Sequence, residues 1–126
     1  YKALALGAPY VKIVGLCRAS MAAAMNGKKI GELLASGKVP PHIARYGTTK
    51  EAVFADLPAL RGLYGDAADE FSTGAIGTYS YLALIRFGLQ HFAALNRKFD
   101  LAFADQSDLI PLTLEAREIL AGRWFV

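Results

Sequence analysis

The chain has 126 residues, enough for one modest domain with a real core. Apolar residues make up 54% of it and charged residues 20%, which argues against disorder, although part of the apolar fraction is Gly and Ala that bury little area each. The formal net charge of +3, from 14 Lys and Arg against 11 Asp and Glu, is spread along the chain and supports acidic-ligand binding weakly and nucleic-acid binding hardly at all. Cys17 is the single cysteine, which rules out an intrachain disulfide and any self-contained multi-cysteine metal or iron–sulfur site. The charged n-region and cleavage pattern of a signal peptide are missing, and charge or glycine interrupts every segment before it reaches the length of a membrane span. The composition suits a cytosolic, cytoplasmic protein that does not engage a membrane. The apparent helix pattern at Tyr1 and the apolar cluster Trp124–Phe125–Val126 read as the ends of an incomplete chain.

In chain order, Lys2 to Leu6 reads as the end of a helix with Gly7 as its C-cap. Tyr10 to Val14 is a short apolar run rich in β-branched residues and reads as a buried strand; a buried helix segment or the edge of a small sheet fits the same pattern. Ala19 to Met25 is a small-residue helix that Asn26–Gly27 stops, and Ile30 to Leu34 is a short helix closed by Gly37. Pro40–Pro41 is rigid and extended, and His42 to Tyr46 is one further turn ended by Gly47. Thr48 and Glu51 fit a capping box, and Val53, Leu57, Leu60 and Tyr64 recur at helical spacing, with Pro58 predicting a kink or break near Asp56. Asp66 to Ser72 reads as a polar loop and Gly74–Ala–Ile–Gly77 as a flexible one. The longest helix then runs from Thr78 to Lys98, with an apolar arc wide enough for more than one partner element. Gly88 inside it costs about 1 kcal/mol of helix propensity, which predicts a closely approaching neighbour. Leu101 to Ala104 is an apolar connector, Ser107 caps a turn ended by Pro111, and Thr113 to Leu120 is a last amphipathic helix with Gly122 as C-cap.

The strongest chemical candidate is Gly15–Leu16–Cys17–Arg18 between strand and helix. A strand turning sharply into a helix points backbone N–H groups at one spot, and a guanidinium beside them pairs with phosphate oxygens. An ordinary turn with Arg18 in solvent and Cys17 as filler explains the same residues. His42 and His91 lack partners at metal-ligand spacing, and Arg86, Gln90 and His91 share a region of one helix that reads equally as a pocket lining or a solvated face. No nucleophile elbow or paired-acid pattern is present, so no catalytic residue and no metal ligand is assigned.

Lys2-Ala-Leu-Ala-Leu-Gly-Ala8, followed by an apolar strand and a basic loop, resembles the last helix–strand–helix passage of the FMN-dependent (β/α)₈ oxidoreductases. Lys38 to Glu51, Gly74-Ala-Ile-Gly-Thr78 and Gly88-Leu-Gln90 resemble the C-terminal region of FMN-binding glutamate synthase-like proteins. The resemblance implies a mainly α piece with one or two short strands, the C-terminal fragment of a TIM barrel. Residues 1–27 would form the last barrel unit and residues 28–126 a helical extension. It implies FMN as the cofactor of the complete parent flavoprotein, with Gly15, Leu16, Cys17 and Arg18 at the flavin phosphate. The parent would be an oxidoreductase of glutamate biosynthesis, converting 2-oxoglutarate and an ammonia donor to glutamate. Cys17 stands where a glycine is expected, and this chain alone supplies no iron–sulfur cluster. The piece would be inactive without the barrel portion preceding Tyr1. The other reading of the same residues is a helical interaction or oligomerisation module without catalysis, for which self-association is the expectation.

Overall fold

A computed structural model describes residues 1–122; the cluster Trp124–Phe125–Val126 lies outside the described residues. Seven α-helices follow one another there: α1 (Lys2–Gly7), α2 (Arg18–Ala35), α3 (Pro41–Ala44), α4 (Lys50–Val53), α5 (Leu57–Tyr64), α6 (Thr73–Leu95) and α7 (Leu114–Leu120). Short 3₁₀ turns lie at Gly65–Glu70, Leu101–Phe103 and Gln106–Asp108. The described residues are 67% helical and contain no strand.

This corrects the expected fold class. Tyr10 is in a turn and residues 11–17 are coil, so the piece of a (β/α)₈ barrel has no strand on which to stand. The physical reason lies in the backbone. A strand satisfies its N–H and C=O groups only on a neighbouring strand, and the described residues offer none. Residues 12–16 accordingly make no backbone hydrogen bond to any described residue.

The chain divides into two compact units: residues 16–85, and residues 1–15 with 86–126. The first, contiguous unit has a true core. Phe54, Leu57, Leu60, Ala68 and Ile76 are buried, with Ile30, Leu34, Val53, Phe71 and Tyr79 packed around them. Its long helix α2 is continuous through Asn26–Gly27, where a stop was expected, because the glycines of this helix serve packing. A Cβ on Gly27 would collide with the Thr73 carbonyl and lie 3.2 Å from Gly77 Cα, and one on Gly77 would lie 2.9 Å from the Ala23 carbonyl oxygen. Backbones meet there with no side chain between them, a closeness only glycine permits. The same contact explains why α6 begins at Thr73 rather than Thr78: Gly74 and Gly77 are helical residues at a crossing, not a flexible loop. Ser72 Oγ accepts from Ala75 N at 3.2 Å at the helix start, while Thr78 Oγ1 donates to Gly74 O at 3.0 Å.

Pro58 does mark a break. α4 ends at Val53, Phe54 to Asp56 turn, and Pro58 occupies the first turn of α5, where its missing N–H costs nothing. The N-cap of α4 is Thr49, whose Oγ1 accepts from Ala52 N at 3.3 Å, one residue beyond the expected Thr48. Arg61 then ties these short pieces at the surface, with Nε 2.8 Å and Nη2 2.6 Å from Asp69 Oδ1 and Nη2 3.2 Å from Glu51 Oε1.

The second unit differs in kind. Among its described residues the buried apolar ones are three alanines, Ala5, Ala93 and Ala104. Within it α6 ends in a left-handed turn at Arg97 (φ 55°), with Lys98 N bonded to Ala93 O at 2.8 Å. No helix among the described residues is long and apolar enough to cross a membrane.

Candidate functional site

Gly15, Leu16, Cys17 and Arg18 are all exposed, and the boundary between the two units falls between Gly15 and Leu16. Cys17 is the N-cap residue of α2, but its side chain makes no capping hydrogen bond. A Cβ on Gly15 would meet nothing within 4 Å, so this glycine is not clearing space for a neighbour. Arg18 opens α2, and its side chain makes no hydrogen bond or ion pair with a described residue. The four residues therefore lie in coil and the first turn of α2, without the strand-to-helix turn expected to converge their donors.

The histidines are equally unassembled. His42 is exposed, and His91, also exposed, packs edge-on against Phe87 with ring centroids 4.4 Å apart. Arg86 and Gln90 are exposed. Among the described residues no three His, Cys, Asp or Glu side chains gather as metal ligands would.

Side chains do converge in the second unit, around Lys98. Its Nζ lies 2.7 Å from Asp108 Oδ1 and 2.9 Å from Asp105 Oδ2. Tyr1 donates its hydroxyl to Asp108 Oδ2 at 2.8 Å, and its ring stacks on Phe92 with centroids 5.8 Å apart. Asp105 and Asp108 also form a reciprocal capping box: Ser107 N donates to Asp105 Oδ1 at 2.8 Å and Asp105 N to Asp108 Oδ2 at 3.1 Å. The Asp108 side chain is only 4% exposed, so this carboxylate depends on its partners. Hydrogen bonding from Ser107, and then from Lys98, lowers the Asp105 pKa to about 2. Lys98 lowers that of Asp108, and the two carboxylates raise that of Lys98, Asp108 foremost. Burial, followed by the hydrogen bond to Asp108, raises that of Tyr1.

This cluster staples the turn Gln106–Asp108 to α1 and to the end of α6, and Gln106 Nε2 adds a 3.3 Å bond to Leu6 O. The chain beyond the staple, Leu109 to Thr113, is thereby laid beside α1. Between α1, this arm and α7 lies an open groove of about 420 Å³, lined by Leu6, Leu109, Ile110, Leu112, Ile119 and Leu120, with Lys2 at its edge. The lining is mostly apolar; its polar side chains are Lys2 and Thr113, with no carboxylate, histidine or cysteine beside them. Such a surface binds by excluding water.

Neither feature was foreseen. Ser107 had seemed the cap of this turn, whereas the signal was the Asp-x-x-Asp spacing of Asp105 and Asp108 around it. The groove wall was signalled by the apolar pair Ile110 and Leu112, overshadowed by Pro111 between them.

Compared with known proteins, the chain matches no family model, no curated protein and no solved structure. The resemblance to the FMN-binding glutamate synthase-like family is overturned by the strand-free architecture, which is incompatible with a (β/α)₈ fragment. With it go the expectations of a parent oxidoreductase, of a flavoprotein and of a role in glutamate biosynthesis, because the barrel strand and phosphate turn that carried them are absent from the described residues.

Proposed function

We propose that the chain is a helical interaction module, working by assembly rather than by catalysis, whose apolar surface in the second unit is covered by another polypeptide. One observation carries this reading. Among the described residues of that unit three alanines are buried, yet fourteen large hydrophobic side chains are exposed, among them Phe99, Ile110 and Leu112. A buried methyl contributes about 0.8 kcal/mol, whereas each ordered residue costs ~1–2 kcal/mol of backbone entropy. The buried described residues offset little of that cost, and an external apolar surface would add to the half-buried packing of residues such as Leu4, Leu101 and Leu120. Exposure on this scale exceeds the scattered apolar residues of an ordinary surface.

Native mass spectrometry of the chain gently isolated from its source tests the reading. Recovery as part of a complex, whether with itself or with a different polypeptide, supports it. Recovery as a lone chain with full helix content and protected amides in residues 86–122 overturns it.

A further inference from the structure

We propose that the peptide bond between Lys12 and Ile13 is a cleavage site for a lysine-directed serine protease, and that cutting it frees α1 from the groove it walls. This goes beyond the module reading and does not need it.

A protease cleft holds several consecutive residues extended, so a bond inside a helix is cut only after local unfolding. The Lys12 bond carries little of that cost. Residues 9–19 are all exposed, with Tyr10 at 90% and Ile13 at 87%. Tyr10 and Val11 donate to the Gly7 carbonyl, but residues 12–16 make no backbone hydrogen bond to any described residue. Val11, Ile13 and Val14 are β-branched, which favours the extended form that a cleft receives.

The other lysines are held. Lys2, Lys28, Lys29 and Lys50 lie in helices, and Lys98 is paired to Asp105 and Asp108. Lys38 is in coil, but its neighbours are tied. Ser36 and Gly37 donate to the Glu32 and Leu34 carbonyls, and the Pro40 carbonyl accepts from Ile43 and Ala44. Among the described residues no other lysine adjoins so long a run of free backbone. The exposed Lys12 ammonium suits a specificity pocket with a carboxylate at its base. Hydrolysis breaks the bond from the Lys12 carbonyl carbon to the Ile13 nitrogen. Water gives its hydroxyl to the carbon and a proton to the nitrogen, and no further reactant is needed.

What the cut releases follows from where the contacts lie. Residues 1–15 pack with residues 86–126, whereas the core of Phe54, Leu57, Leu60 and Ile76 draws nothing from them. The leading segment is held by buried Ala5, by the bonds of Tyr1 to Asp108 and of Gln106 to Leu6 O, and by half-buried contacts such as those of Leu4. The chain itself adds a tether that keeps α1 at an effective concentration in the millimolar range, and hydrolysis removes it. Lys2 and Leu6 leave with α1, so one wall of the groove is lost.

Brief digestion of the purified full chain with a protease that cuts only after lysine, read by intact mass, tests the site. Residues 1–12 and 13–126 are the expected first products, formed about tenfold or more faster than any cut at another lysine. Lys12→Gln should remove that first cut, and because the residue is exposed its circular dichroism should be unchanged. Gel filtration of the digest should separate residues 1–12 from residues 13–126, in which the amides of Leu57 and Ile76 keep their protection. A first cut at Lys38 or any other lysine overturns the site, as does an unchanged digest of Lys12→Gln. So does a chain that resists the protease while its urea-unfolded form is cut. Residues 1–12 that travel with residues 13–126 overturn the release.

Discussion

Gly27 of α2 and Gly77 of α6 approach so closely that a Cβ on Gly77 would lie 3.1 Å from Gly27 Cα. Gly27→Ala should therefore destabilise the first unit by about 1–3 kcal/mol, because the obstacle is backbone and does not move aside. Gly88→Ala is the matched control. Contrary to the sequence expectation no neighbour approaches Gly88, so there the alanine should stabilise by about 0.5–1 kcal/mol. Urea unfolding of the two variants checks the opposite signs.

The core of the first unit makes a second prediction. Leu57 is fully buried within the cluster of Phe54, Leu60 and Ile76, and Leu57→Ala should cost about 2–5 kcal/mol. Leu63, on the same helix but exposed, should tolerate alanine within about 0.5 kcal/mol. Equal losses at the two sites, measured by thermal melting, would sink this account of the core.

The Lys98 cluster predicts a pH dependence. Asp105 and Asp108 titrate lower when folded, so their contribution is complete above the unfolded carboxylate range near pH 4. It fades as acid carries the solution towards pH 2, where Asp105 protonates. Lys98 and Tyr1 titrate higher when folded, so their contribution is complete below about pH 10 and is lost as alkali passes their folded values. Lys98→Met should flatten both limbs of a stability–pH curve. Unchanged limbs would remove the cluster from the account.

Arg97 holds a left-handed conformation (φ 55°) that glycine adopts without a steric penalty. Arg97→Gly should stabilise the second unit by about 0.5–1 kcal/mol, net of the greater freedom glycine gives the unfolded chain. Amide exchange at the end of α6 is the direct measure.

Local signals in the sequence were legible where a single residue sets them. Pro58 fixed the break before α5, and Gly37 and Gly122, with φ of 68° and 72°, close the helices they were expected to close. Thr113 caps α7 through Ala116 N at 3.1 Å. What failed depended on partners distant in the chain. The β-branched run Tyr10 to Val14 has strand propensity, but no strand to pair with among the described residues. Asn26–Gly27 looked like a stop and Gly74 to Gly77 like a loop, because nothing in either stretch reveals that each lies against the other. The candidate at Gly15 to Arg18 was argued from that strand, and the backbone leading into it is coil. The groove was missed for a related reason: its walls come from α1 and α7, near opposite ends of the sequence.

The hydrogen bond from Tyr1 to Asp108 closes a span of 107 residues. Residues 1–15 are synthesised before residues 16–85, whereas their packing partners, from residue 86 onward, are made after them. Residues 16–85 are complete in between and contain every contact of their own core, so they can fold during synthesis while the leading segment waits. Birth order thus separates a segment that sets early from one that must wait for both its ends, and among the described residues the waiting one has only alanines buried.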